Sequence, residues 1–290
     1  MRVLYLQVVI ASGKGGTGKT TVALGLALSL VNQPVTLVDC DVEAPNDNVF
    51  LKLRSTATID VIIQVPQVDQ DLCTHCGLCA QHCQFNAIAA LPNKTVVFPD
   101  LCKGCGLCAK VCEPKAITEV PHKVGIINKA RANSLTFYEG ELDVGKPTAA
   151  PIIEKLRHMV EIKQGEVSEV IIDAPPGSGC NVLSAAKGVD FGILVTEPTP
   201  FGLHDLEVAS KVFEALGIPY GVVVNKADGE DGEEAINQFA ASRGVPVMLR
   251  IPFDRAIAEG YARGVTLPEM DEQWGDQFRL LWNQVKEAVK

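Results

Sequence analysis

Eight of the ten cysteines lie between Cys73 and Cys112, in two runs of the form Cys-x2-Cys-x2-Cys-x3-Cys. The first run is Cys73, Cys76, Cys79 and Cys83; the second is Cys102, Cys105, Cys108 and Cys112. Thiolates are soft donors, and spacing this tight lets one loop wrap a cube of iron and sulfide. Two structural zinc sites are the alternative, but zinc sites rarely use four cysteines in a row, duplicated. A disulfide framework would be spread through a small secreted domain, whereas only Cys40 and Cys180 lie outside the block here. A second chemical motif, Gly13-Lys14-Gly15-Gly16-Thr17-Gly18-Lys19-Thr20, satisfies G-x-x-x-x-G-K-[ST] and is followed by Thr21. Its glycines let backbone N–H groups curl around phosphates, and the helix it opens adds positive potential. Lys19 is expected to reach the β- and γ-phosphates of ATP, and the Thr20 hydroxyl to ligate Mg²⁺.

These groups need a scaffold. Apolar runs at Val3–Ile10, Val35–Val38, Val170–Ile172, Phe191–Val195, Gly221–Val224 and near Val247 read as strands covered on both faces. Helical stretches alternate with them at Thr20–Val31, Ile152–Ile162, Leu203–Leu216, Glu233–Ser242 and Ala256–Arg263. Such alternation predicts a doubly wound α/β domain with a mostly parallel sheet. Asp39 and Asp41 then stand at the end of one strand and Asp173 at the end of another, where open α/β sheets bind ligands. One carboxylate there can hold Mg²⁺ through water, and another can orient the attacking water.

The pattern breaks after Pro66 and resumes around Pro121. Between them a segment repeats with a 29-residue offset, from Asp71-Leu-Cys73 to Asp100-Leu-Cys102, each copy ending in Ala-Ile, at Ala87-Ile88 and Ala116-Ile117. We therefore expect a parent domain at 1–66 and 122–290, with a small inserted domain at 67–121; surface loops accept insertions most easily. Residues Val124–Pro147 read as a hairpin or two of the parent domain.

The cysteine spacing resembles that of bacterial two-cluster ferredoxins, in which the fourth cysteine of each run ligates the other cluster. That resemblance implies a ferredoxin-like α+β insert with two [4Fe–4S] clusters. One would be held by Cys73, Cys76, Cys79 and Cys112, the other by Cys102, Cys105, Cys108 and Cys83. The usual proline after the fourth cysteine is absent, with Gln84 following Cys83 and Glu113 preceding Pro114. His75 and His82 lie within the first run but add nothing to a complete cysteine set. Lys14 is similar to the additional signature lysine of deviant Walker A ATPases, the group of MinD, Mrp-type cluster carriers, ParA proteins and the nitrogenase iron protein. Asp39-Cys-Asp41-Val-Glu-Ala-Pro-Asn46 resembles their switch I, and Asp173-Ala-Pro-Pro-Gly-Ser-Gly their switch II. Asn225-Lys226 and Pro252-Phe-Asp254 resemble their adenine-binding segments. The resemblance implies a nucleotide-sandwich dimer in which Lys14 reaches the opposing subunit's phosphates, Asp41 positions the water and Asp173 contacts Mg²⁺ indirectly. Cys180, at the edge of switch II, has no evident companion ligand.

A net charge of −9 and the lack of a long basic run argue against a nucleic-acid partner. The N-terminus reads as a strand, not a signal peptide, and no segment has the apolar length of a membrane span, so a cytoplasmic protein is expected. The C-terminal stretch Trp274–Val289 places Phe278, Leu281, Trp282 and Val285 near one helical face. MinD proteins end in a membrane-targeting helix, but the opposite face here carries Asp276 and Glu287 beside Lys286, which favours packing on the domain. The favoured function is an ATPase hydrolysing ATP to ADP and phosphate, slowly and with partner stimulation. Its nucleotide-dependent homodimer, or dimer with a paralogue, would couple to electron transfer or metallocofactor handling with a protein partner. The alternatives are a MinD- or ParA-like positioning ATPase with redox-sensing clusters, and an Mrp-like cluster carrier.

Overall fold

The computed structural model describes residues 5–30, 32–146, 148–162, 169–229 and 231–290. In chain order, β1 (Gln7–Ala11) leads to α1 (Lys19–Ser29), β2 (Val35–Asp39), α2 (Asp47–Leu51) and β3 (Ala57–Val68). Next come α3 (Leu78–Gln81), β4 (Ile88–Leu91), β5 (Lys94–Val97), α4 (Leu107–Lys110), β6 (Ile117–Ala132) and β7 (Leu135–Leu142). The chain continues through α5 (Ala150–Ile162), β8 (Glu169–Asp173), α6 (Cys180–Ala186), β9 (Phe191–Thr196), α7 (Pro200–Leu216) and β10 (Tyr220–Ala227). It ends with α8 (Asp231–Arg243), β11 (Val247–Pro252), α9 (Arg255–Ala262), α10 (Leu267–Met270) and α11 (Glu272–Ala288).

Two compact units result. The first runs to Thr58 and resumes at Ile127–Glu141 and Ile153–Lys290; the second comprises Ile59–Ile126 and Leu142–Ile152.

The strands form a sheet in the order β11-β10-β9-β1-β8-β2-β7-β6-β3. Pairings from β11 through β10, β9, β1, β8 and β2 to β7 are all parallel. Every residue of β1 and β2 is buried, as apolar runs covered on both faces require. Strand order reverses beside β1, which puts the crevice at the carboxyl end of β1, where the glycine-rich loop begins.

Several expectations need adjusting. Strand β1 begins at Gln7, and Val3 lies outside the described residues, as do Val31 and Pro147. Residues 124–146 contribute one hairpin, β6–β7, turning at Asn133-Ser134, where Asn133 takes φ +50°. Strand β7 then joins β2 in parallel. Strand β3 was not expected at all. It is the last strand of the order, its side chains are mostly exposed at the start, and it contains Pro66, whose missing N–H an edge strand tolerates because one of its sides has no partner strand.

In the first unit, α11 buries Phe278, Leu281, Trp282 and Val285. Gly25 on α1 makes room for this helix, since a Cβ there would stand 2.2 Å from Phe278 Cζ. Burying side chains of this size stabilises by about 1.5–3 kcal/mol each. The apolar C-terminal face is therefore core.

The second unit repeats its backbone as it repeats its sequence. Gly77 and Gly106 take φ +77° and +69° before α3 and α4, and His75 and Gly104 take +54° and +70°. Asn86 and Lys115, after the last cysteine of each run, take +52° and +59°. Each of these pairs is offset by the repeat length, so the same left-handed turns shape both cysteine loops.

Candidate functional site

The loop between β1 and α1 bends through Gly16 (φ +78°) and Gly18 (φ +98°), a conformation that side chains resist. Gly18 also has no room for a Cβ, which would meet Asn225 Nδ2 at 2.2 Å. That amide donates to Thr17 O at 2.7 Å, tying the loop to the end of β10. Gly13 is equally tight, since a Cβ there would come 2.2 Å from the Asp205 carbonyl oxygen. These neighbours set the shape of the loop.

Beside it lies a cavity of about 360 Å³, lined by Gly15, Gly16, Gly18, Lys19, Thr20 and Thr21. Its other walls are Asp41 and Asn46, the pair Asn225-Lys226, and an apolar side from Pro252, Phe253, Ile257 and Tyr261. The volume suits a nucleotide, with backbone amides and Lys19 at one end and flat apolar surface at the other. Asn225 and Pro252, expected at the adenine end, line this cavity together with the phosphate loop.

At the strand ends, the Thr20 hydroxyl reaches Asp173 Oδ2 at 2.7 Å and Asn46 Oδ1 at 3.0 Å. Asp39 Oδ1 accepts from Asp41 N at 2.9 Å, and its Oδ2 from Asn46 N at 3.0 Å and Asp47 N at 3.2 Å. Asp39 thus pins the loop that carries Asp41, while Asp41 itself lines the cavity. Burial raises the Asp41 carboxyl, and Lys19 opposes that shift. Burial likewise raises Asp173, against Lys19 and the Thr20 hydrogen bond, and raises Asp39 with help from the charge of Asp173. Asp47 is fully buried, neither of its oxygens accepts a hydrogen bond, and burial together with Asp39 and Asp173 lifts it well above the usual range. A divalent cation or a proton in this corner would relieve the crowding of carboxylates. The donor set of hydroxyl and carboxylate suits Mg²⁺.

Lys14 does not stand free. Its Nζ lies 3.5 Å from Glu197 Oε2, while Lys226 pairs with Glu197 Oε1 and approaches Gly16 O at 3.4 Å. Glu197 and Asp47 were not anticipated, and Asn46 only as the last residue of the switch-I-like segment. Glu197 sits alone after β9 without a motif, and Asp47 follows directly on the switch-I-like segment.

In the second unit, Cys73, Cys76, Cys79 and Cys112 line one cavity, along with Thr95, Pro114 and Ile117. A cysteine from the second run is thereby brought to three from the first. Cys83 packs in turn against buried Cys102, Val65 and Ala87. Ala87 N donates to Cys83 Sγ at 3.3 Å, and Gly104 N to Cys102 Sγ at 3.4 Å. Cys105 is exposed and Cys108 half-buried. Among the described residues no three His, Cys, Asp or Glu side chains are grouped to hold a single metal ion. Cys73, Cys76, Cys79 and Cys112 instead line a shared space, and four thiols around a space fit a polynuclear iron–sulfur group. His82 is exposed, Cys180 is exposed at the first residue of α6, and neither joins this cavity. No described helix is long and apolar enough to cross a membrane.

Comparison with known proteins agrees with the geometry of the first unit's phosphate loop. A protein of Methanocaldococcus jannaschii described as uncharacterized is 30% identical over 287 residues, covering 99% of this chain and 98% of its own. An iron–sulfur cluster carrier protein of Methanococcus maripaludis is 24% identical over 313 residues, covering 100% of this chain and 87% of the relative. The septum site-determining protein MinD of Pyrococcus horikoshii, solved in complex with Mg-ADP, shares the fold at a TM-score of 0.61 and 21% identity, covering 98% of this chain and 97% of that one. Residues 8–267 match the CobQ/CobB/MinD/ParA nucleotide binding domain. The chain belongs to that family, and its first unit is a P-loop ATPase domain of the MinD/ParA kind.

Proposed function

We propose that this chain is an ATPase whose nucleotide-switched dimer controls electron transfer, or metallocofactor handling, toward a protein partner through two [4Fe–4S] clusters. The observation that carries the reading is the meeting of Cys112 with Cys73, Cys76 and Cys79 around one cavity, in a chain that also carries the phosphate loop. Backbone amides of Gly15, Gly16 and Gly18 and the Lys19 ammonium bind the phosphates. The Thr20 hydroxyl and, through water, the Asp173 carboxylate would hold Mg²⁺, which would supply neutralisation of charge at the phosphates. Asp41 orients the water that attacks the γ-phosphorus, and ADP leaves. Asn225 and Pro252 flank the base. Lys14 leaves Glu197 to reach the nucleotide of a second subunit, either another copy of this chain or a paralogue.

Cys73, Cys76, Cys79 and Cys112 hold one cluster, and Cys102, Cys105, Cys108 and Cys83 the other, in a ferredoxin-like insert at 67–121. Each cluster, when bound, supplies a one-electron couple. The test is anaerobic purification, assay of iron and sulfide, and redox titration with and without MgATP. About eight iron atoms per chain and a potential or partner affinity that moves with MgATP are expected. Protein without iron, or potentials and affinities indifferent to MgATP, would sink the reading.

The Methanococcus maripaludis relative, named a cluster carrier, favours a second reading in which clusters are passed to apo-proteins. Rapid transfer of iron and sulfide to an apo-ferredoxin would select it; retention selects the first. Spatial positioning on a membrane lacks a surface in α11, whose apolar face is buried.

A further inference from the structure

The 29-residue repeat runs beyond the cysteines. Leu91-Pro-Asn-Lys-Thr95 in the first copy answers to Val120-Pro-His-Lys-Val124 in the second, and Gln70 answers to Pro99. At two of these places the copies differ in chemistry. Thr95 is 3% exposed, and its Oγ1 lies 3.3 Å from Cys73 Sγ in the cavity both residues line. Gln70 grips Thr95 by both ends of its amide: Nε2 donates to Thr95 O at 2.9 Å, and Oε1 accepts from Thr95 N at 3.1 Å. This two-point contact fixes the backbone that carries the hydroxyl. The second copy has valine without a hydroxyl and proline without a side-chain amide.

We propose that Thr95, positioned by Gln70, donates a hydrogen bond to the Cys73 thiolate and raises the reduction potential of the first cluster alone. This rests on the two-cluster reading above. A thiolate carries no proton, so with Cys73 as a ligand the hydroxyl is the donor. Reduction adds negative charge that the ligating sulfurs share, and a donor aimed at sulfur stabilises the reduced form more than the oxidised one. The backbone donors to Cys83 and Cys102 act on the other ligand set, and side-chain substitution leaves them in place. The Thr95 hydroxyl is the donor that sequence can tune.

The test compares anaerobically purified full-length protein with its Thr95→Val, Thr95→Ser and Gln70→Ala variants. Iron and sulfide are assayed first, and both midpoints are then followed by electron paramagnetic resonance. Thr95→Val preserves shape and removes the donor. It should keep the iron content and move one of the two midpoints downward, so that the reduced-to-oxidised ratio of that cluster at the wild-type midpoint falls roughly fivefold. Thr95→Ser should restore it, and Gln70→Ala should shift the same midpoint by less. Unmoved midpoints in a loaded Thr95→Val protein overturn the proposal, as does a Ser variant that shifts as far as Val, which would assign Thr95 to packing. Should Thr95→Val load poorly, exposed Gln70→Ala decides, and no shift there is equally fatal. Wild-type protein without iron fails at the earlier step and removes the cluster reading itself.

Discussion

The two units hold their sites by opposite means. Around the phosphate loop, protein groups already satisfy one another: Asn225 ties Thr17, Thr20 meets Asp173, and Glu197 holds Lys14 and Lys226. Beneath them lies a large apolar core that runs from β1 and α1 to Trp282 of α11. In the second unit some of the thiols are part of the core: Cys79 and Cys102 are buried, while Cys76 and Cys105 stay exposed. Among the described residues it holds two small apolar clusters, Val65 with Ala87 and Cys102, and Cys79 with Ile88 and Ile117, and Cys83, Cys108 and Cys112 pack against them. One site is made of groups that already bond one another; the other, on the proposed reading, is made of the cluster's own ligands. The first should therefore survive emptying, and the second should not.

Removing iron is the strongest way to break that contrast. Chelation under denaturant-free, oxidising conditions should collapse protection of residues 59–126 in hydrogen exchange while β1, β8 and α11 stay protected. Cys112→Ser should do the same, because it takes one thiolate from the wall that the first run cannot complete. Metal-coupled folding free energies of small thiolate sites are on the order of 10 kcal/mol, far beyond what these small apolar clusters supply. A second unit that keeps its protection without iron would show that its core stands alone.

The phosphate site should fail in function while its fold persists. Lys19→Ala should lower ATP turnover by about 10²–10³-fold, the usual loss when a preorganised charge at the transferring phosphate is removed. Its melting temperature should stay within a few degrees of the wild type. Gly18→Ala tests the scaffold instead: the φ of +98° and the 2.2 Å approach to Asn225 should cost about 1–3 kcal/mol, read by chemical denaturation. If Lys19→Ala unfolds the first unit, the idea of a self-sufficient site is wrong.

How much of this was legible beforehand follows the same divide. The phosphate loop, the acid-bearing strand ends and β9 to β11 were readable because buried parallel strands and glycine turns leave local signatures. The cysteine runs were readable because their spacing is rigid. Strand β3 was not, since an edge strand with Pro66 and exposed alternate residues carries little apolar signal. Glu197 was not, because its role depends on where Lys14 and Lys226 meet, some 180 and 29 residues away in sequence respectively. Thr95 and Gln70 likewise acquire meaning only when the hairpin β4–β5 places them against Cys73.

Glu197 offers a smaller perturbation of the prebuilt site. Glu197→Gln removes the charge that holds both lysines but keeps the side chain's size. The pairs are partly exposed, so each contributes at most about 1 kcal/mol. ATP turnover measured at low protein concentration should therefore rise about two- to fivefold, because Lys14 is released toward a second subunit. The gain should vanish in a Lys14→Ala background. A gain that persists there would mean Glu197 acts on something other than Lys14.

The smallest effect belongs to Asp47, and its sign can be worked out. Its carboxyl is raised well above the ordinary value of about 4 by burial and by Asp39 and Asp173. Below pH 4 both folded and unfolded chains hold the proton, and the contribution is constant. As pH climbs past 4 the unfolded chain releases its proton first, so the folded state loses stability until its own raised pKa is passed. Apo protein should thus become less stable across that window. Asp47→Asn supplies a permanent N–H donor toward Asp173, in place of the protonated acid. It should match the wild type near pH 4 and exceed it at pH 8 by roughly 1 kcal/mol in urea melts. Parallel pH profiles for the two proteins would instead mean that Asp47 keeps its charge in the fold, and that the corner beside Thr20 already tolerates three carboxylates without a cation.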